Sequence, residues 1–400
     1  MDVSSRDPRS FVRESALGRH LQALTEQLDI SETDYERAKR AYESVAEVVT
    51  DASDPALSGA VIFPQGSFAT GTVIRPVDRN DGELDVDLAC RLDSDTGSMP
   101  PAMAMVLVGQ QLLTHGRYQG KVEPKTRCWR VQYENAFHLD ICPLVRALHG
   151  SADAIPDRKL NAWVDTDPHG YAVWFNGLAK QLVVAERGAH IALDAQGEVA
   201  PFPADARGKG WLRRTVQLLK RNRDQWAAQQ PADQGDFAPI SVILTTLAAR
   251  VIERHLTRGT QFTSAFDVVQ TIVEELPQGI ELRNVNGSVE PWVISPVAEE
   301  NFANRWAHDP RWYAGFAAWH TALKATLHLL LRAEGLHIVG RFLADAFGSR
   351  AASGAIDSAA RELKGASTRS DLSVARSGLV VAGAGALPKV QPHTFYGARR

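Results

Sequence analysis

Cysteine and net charge are both scarce in this chain. The three cysteines, Cys90, Cys128 and Cys142, are too few and too scattered for a disulfide framework or a zinc site. The formal net charge is only −3 at pH 7, which argues against global electrostatic steering toward nucleic acid or an anionic membrane. These absences exclude disulfide-stapled secreted domains, zinc modules and strongly basic nucleic-acid binders.

Long hydrophobic segments are missing as well. Residues 1–8 lack the apolar core of a signal peptide. The longest apolar stretch near the other end, residues 379–387, is too short and too rich in glycine and alanine to span a bilayer. We therefore expect a soluble, cytoplasmic protein without a membrane partner. Its 400 residues, 44% of them hydrophobic, are enough for about two packed domains.

The most informative segment alternates acidic and apolar residues over positions 83–90. This period of two is typical of a β-strand that carries Glu83, Asp85 and Asp87 on one face and buries the apolar side chains on the other. Residues two apart on a strand are separated by roughly 6.6 Å. Their carboxylates can therefore converge on two metal ions about 3.5–4 Å apart.

A second run, residues 137–143, repeats the pattern with a single acid, Asp140. Pairing of the two strands would bring Asp85, Asp87 and Asp140 together. Each acid alone could be an ordinary residue on the wet face of a sheet. As a set, like charges about 4 Å apart repel by roughly 4 kcal/mol at an effective dielectric of 20, so the cluster calls for a cation. We predict that the three acids bind two Mg²⁺ ions, with Mn²⁺ as an alternative.

A turn of small residues precedes the acids. Residues 61–64 read as a short strand that leads into Gly66 and Ser67. A glycine without a Cβ lets the backbone approach a ligand closely. Ser67 can open a helical turn whose free N–H groups face an anion. A Gly-Ser pair alone is more often a simple turn, but the acidic strand that follows makes it a predicted phosphate cradle.

These motifs resemble those of a known family, the bacterial cGAS/DncV-like nucleotidyltransferases (CD-NTases) of the DNA polymerase β-type superfamily. The resemblance rests first on residues 65–72, 84–88 and 139–141. It continues in residues 211–220, which are similar to the family's helix with a phosphate-contacting lysine. Further along, residues 239–241 resemble the start of the next helix, whose serine also contacts the triphosphate.

The resemblance implies roles for further residues. Lys220 and Ser241 would contact the triphosphate together with Gly66 and Ser67. Residues 295–303 look like the family's Asn-Pro…Glu-Asn-Phe segment, with a serine in place of the asparagine. The zinc-binding insertion with which cyclic GMP-AMP synthase senses DNA has no counterpart here. Direct sensing of DNA is therefore not expected.

The resemblance also implies an α+β, two-lobed enzyme. A polymerase β-like nucleotidyltransferase lobe with a central mixed sheet and a long spine helix would be joined to a mostly helical lobe that closes the nucleotide cleft. We place the spine helix and catalytic lobe in residues 1–205 and the helical lobe in residues 206–350. Residues 351–400 would form an Ala/Ser/Gly-rich segment and a largely disordered tail.

The implied reaction joins ribonucleoside triphosphates into a cyclic di- or trinucleotide second messenger and releases pyrophosphate. ATP is expected as a substrate, with GTP, UTP or CTP as others, and the family serves bacterial antiphage defence. Two alternatives remain open: a nucleotidyltransferase that modifies RNA or protein, and a nucleotide-binding regulator without turnover.

The end of the chain carries an aromatic pair, Phe395 and Tyr396, which is unusual for a polar tail. In some relatives the C-terminus is conjugated by ubiquitin-ligase-like partners, usually at a terminal residue. Here Gly397 is followed by three more residues. We interpret the tail as a docking segment for a protein regulator or a conjugating enzyme.

Periodicity predicts the elements that carry these motifs. A capping box at residues 31–34 opens an amphipathic spine helix. A catalytic sheet is predicted over residues 58–148, with a helix at 103–113 and one strand at 122–133. Beyond it, a helix is predicted at 171–186 and further helical segments over 211–346.

Overall fold

The computed structural model describes residues 8–76, 84–133, 137–149, 152–182, 184, 209–368, 372–374 and 380–382. Glu83 lies outside this range. So do the aromatic pair and Gly397 of the predicted docking tail, whose role stays a prediction.

The first half of the chain builds a sheet with helices packed against it. Its elements are, in chain order, α1 (Pro8–Leu28), α2 (Glu32–Thr50), α3 (Pro55–Ser58), β1 (Val61–Pro64), α4 (Gly66–Thr70), β2 (Leu84–Asp95), α5 (Pro101–Thr114), β3 (Val122–Pro124), β4 (Trp129–Tyr133), β5 (Phe137–Arg146), β6 (Asp153–Asp157), β7 (Ala162–Thr166) and α6 (Pro168–Gln181).

The second half is mostly helical. Its elements are α7 (Trp211–Gln229), α8 (Ala232–Gly235), α9 (Ser241–Thr257), α10 (Ala265–Glu275), β8 (Glu281–Val285), β9 (Ser288–Trp292), α11 (Asn304–His308), α12 (Arg311–Arg332), α13 (Leu336–Phe347), α14 (Ser349–Thr368), β10 (Leu372–Val374) and β11 (Val380–Ala382). A hairpin joins β8 to β9, and β10 pairs with β11. Residues 380–382 of the predicted tail are thus a short strand.

The main sheet has the strand order β1-β2-β5-β4-β3, and β6 and β7 extend it from the end of β5. The central pair, β2 and β5, is parallel, whereas β1, β4 and β6 pair antiparallel with their neighbours. This mixed sheet beside a helical half confirms the predicted α+β class.

The spine helix is confirmed as α2. The Ser31 hydroxyl accepts a hydrogen bond from the Asp34 N–H at 3.1 Å, which closes the predicted N-cap. One stripe of the helix is buried against the sheet and contains Ala38, Tyr42, Val45 and Val49.

The prediction of one strand over residues 122–133 is wrong. The chain reverses there, because the Lys125 N–H donates to the Cys128 carbonyl at 2.9 Å and Pro124 ends the first strand. β3 and β4 are therefore antiparallel neighbours, with Val122 opposite Val131. A tight turn preserves the alternation of side chains, so periodicity alone could not reveal it.

Three clusters of buried apolar side chains support the described part of the fold, and two of them are large. One lies between α2, α5 and the inner face of the sheet. The other fills the helical half, and α1 and α6 contribute to it through Leu17, Leu21, Leu24, Leu28 and Phe175. Helix α1 packs against α10 and α14. Among the described helices we find none with the length and apolar character that a membrane crossing requires.

Helix α5 packs closely on the sheet at Gly109. A Cβ at this position would overlap the buried indole of Trp129, whose Nε1 donates to the Met105 carbonyl at 2.7 Å. Overpacking of this kind costs about 1–3 kcal/mol. We expect Gly109→Ala to lower the urea midpoint of unfolding, although alanine is the better helix former.

Gly177→Ala in α6 is the matched control, because a Cβ there meets open space. It should raise stability by up to about 1 kcal/mol. Equal effects of the two substitutions would contradict the predicted overlap with Trp129.

Candidate active site

The parallel pairing of β2 with β5 gathers the predicted acids. Its register aligns Asp85 with His138 and Asp87 with Asp140. Aligned residues of neighbouring strands project to the same face, and residues two apart on a strand share that face. Asp85, Asp87 and Asp140, hereafter the acidic cluster, therefore lie on one face of the sheet. The opposite face of β2 buries Leu84, Val86 and Leu88 in the core.

Two members of the acidic cluster contact basic side chains. His138 Nε2 lies 2.9 Å from Asp85 Oδ1. Arg130, opposite Asp140 on β4, donates from Nε to Oδ1 at 2.7 Å and from Nη2 to Oδ2 at 2.8 Å. These hydrogen bonds from Arg130 to Asp140 raise the pKa of the guanidinium, and the charge of Asp85 acts in the same direction.

Two members of the acidic cluster, Asp85 and Asp140, form the donor set of a cation site together with His138. One ligand atom from each of Asp85, His138 and Asp140 lies within 4.8 Å of the others. Carboxylate oxygens are the ligands that Mg²⁺ and Mn²⁺ prefer, and an imidazole nitrogen is a common metal ligand. No ligand role is predicted for His138 from the sequence, although its spacing of two residues from Asp140 on one strand indicates that both side chains share a face.

Asp87 is the most strongly perturbed acid of the cluster. Burial raises its pKa to about 7, and the charges of Asp85 and Asp140 add to this effect. Lys220 and His138 act in the opposite direction. In the protein alone, Asp87 is therefore about half protonated at pH 7.

The Gly66 turn, which is helix α4, lies directly against Asp87. Gly66 has a left-handed φ of 60°, and a Cβ built on it would be 2.5 Å from Asp87 Oδ2. The Gln65 N–H donates to the Asp87 carbonyl at 2.9 Å, which fastens the turn to β2. Ser67 is half-buried in the first turn of α4. The predicted cradle and the acidic cluster are thus neighbours.

Lys220 reaches the same region from α7. Its buried Nζ donates to the carbonyl and the hydroxyl of Thr72, both at 3.1 Å. Burial lowers the pKa of Lys220 to about 8, and nearby Arg223 adds to the shift, whereas Asp87 and Asp85 oppose it. The ammonium group therefore lies within electrostatic range of the acidic cluster and is mostly protonated at pH 7.

A ladder of side chains from the helical half holds the segment that follows Gly66. Helix α7 donates hydrogen bonds to four backbone carbonyls within residues 70–75, and α6 donates to that of the preceding residue, Ala69. The pairs are Asn176 to the Ala69 carbonyl (3.0 Å), Arg213 to Thr70 (3.0 Å), Lys220 to Thr72 (3.1 Å), Gln217 to Val73 (2.8 Å) and Arg221 to Arg75. The position of the turn is therefore set by the helical half of the protein.

Ser241 begins helix α9, as predicted from the sequence. Its hydroxyl accepts a hydrogen bond from Arg223 Nη2 at 3.2 Å. Arg223 follows Lys220 by one turn of α7. The structure brings Ser241 beside this basic stretch in the middle of α7, and its contact with a triphosphate stays a prediction.

The segment 295–303 contacts the catalytic sheet through Glu300. The Thr166 hydroxyl of β7 donates to Glu300 Oε2 at 3.3 Å, and Arg127 Nη1 lies 3.8 Å from Glu300 Oε1. Asn301 stabilises the bend, because its Oδ1 accepts from the N–H groups of Val293 and Ala303. These contacts link the two halves of the protein at a second place.

Asp87 yields a prediction about stability and pH. Its folded pKa near 7 exceeds the ordinary value of 3.8, so ionising it costs folding free energy that increases from about pH 4 to pH 7. We expect metal-free Asp87→Asn protein to unfold a few degrees above the native protein at pH 8. The difference should shrink as the pH falls toward 4, as measured by thermal unfolding in EDTA.

Asp93→Asn is the control, because Asp93 is an exposed acid of the same strand. It should show no comparable gain at pH 8. A melting temperature of Asp87→Asn that stays at or below the native value across this range would contradict the crowding of the three carboxylates.

Substitution of Gly66 is predicted to destabilise the protein more than substitution of another glycine with a left-handed backbone. Gly66→Ala places an L-residue in the left-handed region, which costs roughly 1–2 kcal/mol, and also pushes a Cβ against Asp87. Gly120 has a φ of 73° with open space around it, so Gly120→Ala measures the backbone strain alone. The free energy of unfolding in urea should fall further for Gly66→Ala. Equal losses would argue against a close approach to Asp87.

Comparisons with known proteins agree with this geometry. Residues 16–178 match a family model described as the Second Messenger Oligonucleotide or Dinucleotide Synthetase (SMODS) domain. A protein of Roseivirga ehrenbergii named c-di-GMP synthase is 29% identical over 390 residues, which cover 94% of this chain and 96% of that protein.

Solved structures share the fold. The CD-NTase CdnG of Bradyrhizobium diazoefficiens, in complex with GTP, aligns with 86% of this chain and 99% of its own at 19% identity and a TM-score of 0.64. The GTP-bound form of DncV from Vibrio cholerae aligns with 87% of this chain and 88% of its own at 16% identity and a TM-score of 0.51. The chain therefore shares the fold of two bacterial cGAS/DncV-like nucleotidyltransferases, and its residues 16–178 match the SMODS domain.

Proposed function

We propose that the protein joins ribonucleoside triphosphates into a cyclic dinucleotide and releases pyrophosphate. The observation that carries this proposal is the acidic cluster on one sheet face, with the Gly66 turn packed directly against Asp87. The description of the matched domain as a dinucleotide synthetase supports it. Because the Roseivirga relative is named c-di-GMP synthase and the CdnG structure contains GTP, GTP is the first substrate to test.

The acidic cluster suits divalent cations. Burial, and after it the charges of Asp85 and Asp140, raises the pKa of Asp87, and a bound cation would stabilise its ionised form. Asp85, Asp87 and Asp140 would hold two Mg²⁺ ions, or Mn²⁺ in their place. The chemistry that such ions would supply is a lower pKa for the attacking ribose hydroxyl and neutralisation of charge on the triphosphate and the departing pyrophosphate.

The remaining residues act on the nucleotide by position and charge. Gly66 allows the backbone to approach the phosphates, and Ser67 offers its hydroxyl and N–H within the same turn. Lys220 supplies a positive charge behind the turn, and Ser241 adds a hydroxyl at the start of α9. Catalysis then rests on positioning and electrostatic stabilisation, without a covalent enzyme intermediate.

In the cell this activity would serve bacterial antiphage signalling in the cytoplasm. The cyclic dinucleotide would act as a second messenger for an effector protein. The C-terminal tail, with Phe395, Tyr396 and Gly397, would dock a protein regulator or a conjugating enzyme. This assignment depends on the family resemblance rather than on any contact within the described residues.

The proposal is tested by product analysis. Purified full-length protein is incubated with labelled GTP, and separately with ATP, CTP and UTP alone and in pairs, in the presence of Mg²⁺. Phosphatase treatment followed by mass spectrometry should leave a resistant cyclic dinucleotide, with pyrophosphate released in step. Asp87→Asn should abolish pyrophosphate release, whereas Asp93→Asn, an exposed acid of the same strand, should retain it.

Other outcomes would favour the alternatives. Pyrophosphate release with a nucleotide linked to protein or RNA would indicate a modifying transferase. Nucleotide binding that survives in Asp87→Asn, with no pyrophosphate from the native protein under any nucleotide pair, would indicate a regulator without turnover.

A further inference from the structure

Arg130 occupies both carboxylate oxygens of Asp140. The two hydrogen bonds, at 2.7 and 2.8 Å, form a bidentate pair between neighbouring antiparallel strands. Asp140 is only 8% exposed, and Arg130 is half-buried. Pairs of this geometry hold a carboxylate in one orientation more firmly than a single hydrogen bond does.

This pairing affects the proposed function, in which Asp140 is a metal ligand. A carboxylate oxygen that already accepts a charged hydrogen bond has fewer lone pairs for a cation. The guanidinium also brings a positive charge next to the position that the cation must occupy. An arginine side chain stays protonated in proteins, so this positive charge is always present.

We propose that Arg130 is a positioning residue that weakens metal binding by the free enzyme and couples it to nucleotide binding. It holds Asp140 oriented toward the acidic cluster while competing with the incoming cation. A bound triphosphate supplies negative charge that offsets the guanidinium, so the ion binds more tightly once nucleotide is present. The inference rests on the proposed function in one respect, the assignment of a metal ligand role to Asp140.

The test measures metal binding directly and needs no turnover. Mn²⁺ binding to the metal-free, full-length protein is titrated by electron paramagnetic resonance, with and without a non-hydrolysable GTP analogue. Arg130→Gln removes the charge and the bidentate pair, and Arg130→Lys keeps the charge but cannot bridge both oxygens. Arg146→Gln is the matched control, because Arg146 lies on β5 and pairs with exposed Asp93 at 3.1 Å.

We expect Arg130→Gln to lower the Kd for Mn²⁺ in the absence of nucleotide by about tenfold, which is the effect of one unit charge about 6 Å from a divalent ion in water. Arg130→Lys should lie between this variant and the native protein, and Arg146→Gln should match the native protein. The gain in Mn²⁺ affinity on adding the GTP analogue should be smaller in Arg130→Gln than in the native protein.

The inference is overturned if Arg130→Gln binds Mn²⁺ within twofold of the native protein, binds it more weakly, or binds none. If that variant does not fold, as judged by thermal unfolding, the same criteria apply to Arg130→Lys. The outcome is independent of the product assay. A native protein that makes no cyclic dinucleotide but binds Mn²⁺ more tightly without Arg130 would sink the proposed function and leave this inference standing.

Discussion

The parallel pairing of β2 with β5 is the interaction on which the site depends. Its register aligns Asp87 with Asp140 and Asp85 with His138. A shift of either strand by one residue would turn the acids of that strand toward the apolar core. The apolar core fixes this register, because the buried face of β2 packs with α2 and α5 in that core. Burial of apolar side chains on one face thus determines which carboxylates meet on the other.

The helical half positions the catalytic half through backbone contacts rather than through a broad apolar interface alone. Helix α7 donates to residues 70–75, and its Arg214 and Gln217 also bind Asp29, at 2.7 and 2.9 Å, between α1 and α2. Lys209 reaches the same carboxylate at 2.7 Å. Asp29 therefore joins the spine helix, α7 and the segment after the Gly66 turn. Movement of α7 would be transmitted directly to the turn that faces Asp87.

Elements with a strict sequence period could be predicted from the sequence. Elements and contacts that depend on segments distant along the chain could not. Alternation gave the faces of β2 and β5, and the capping box gave the start of α2. Helix α1 was overlooked, although Leu17, Leu21, Leu24 and Leu28 follow helical spacing, because its partners α10 and α14 lie far along the chain. Arg130 was missed for a similar reason: its pairing with Asp140 depends on a turn at residues 125–128 that alternation does not reveal.

The acidic cluster has basic neighbours that the sequence alone did not predict. From the sequence, three neighbouring carboxylates predict a bound cation, since their mutual repulsion would otherwise be uncompensated. The fold instead gives each acid a basic neighbour from a different element: His138 on β5 for Asp85, Arg130 on β4 for Asp140, and Lys220 on α7 for Asp87. Compensation is incomplete, because burial and the charges of Asp85 and Asp140 still raise the pKa of Asp87 to about 7. Folding and cation binding are therefore separate requirements on the same carboxylates, and the residual repulsion at Asp87 is what a divalent ion would relieve.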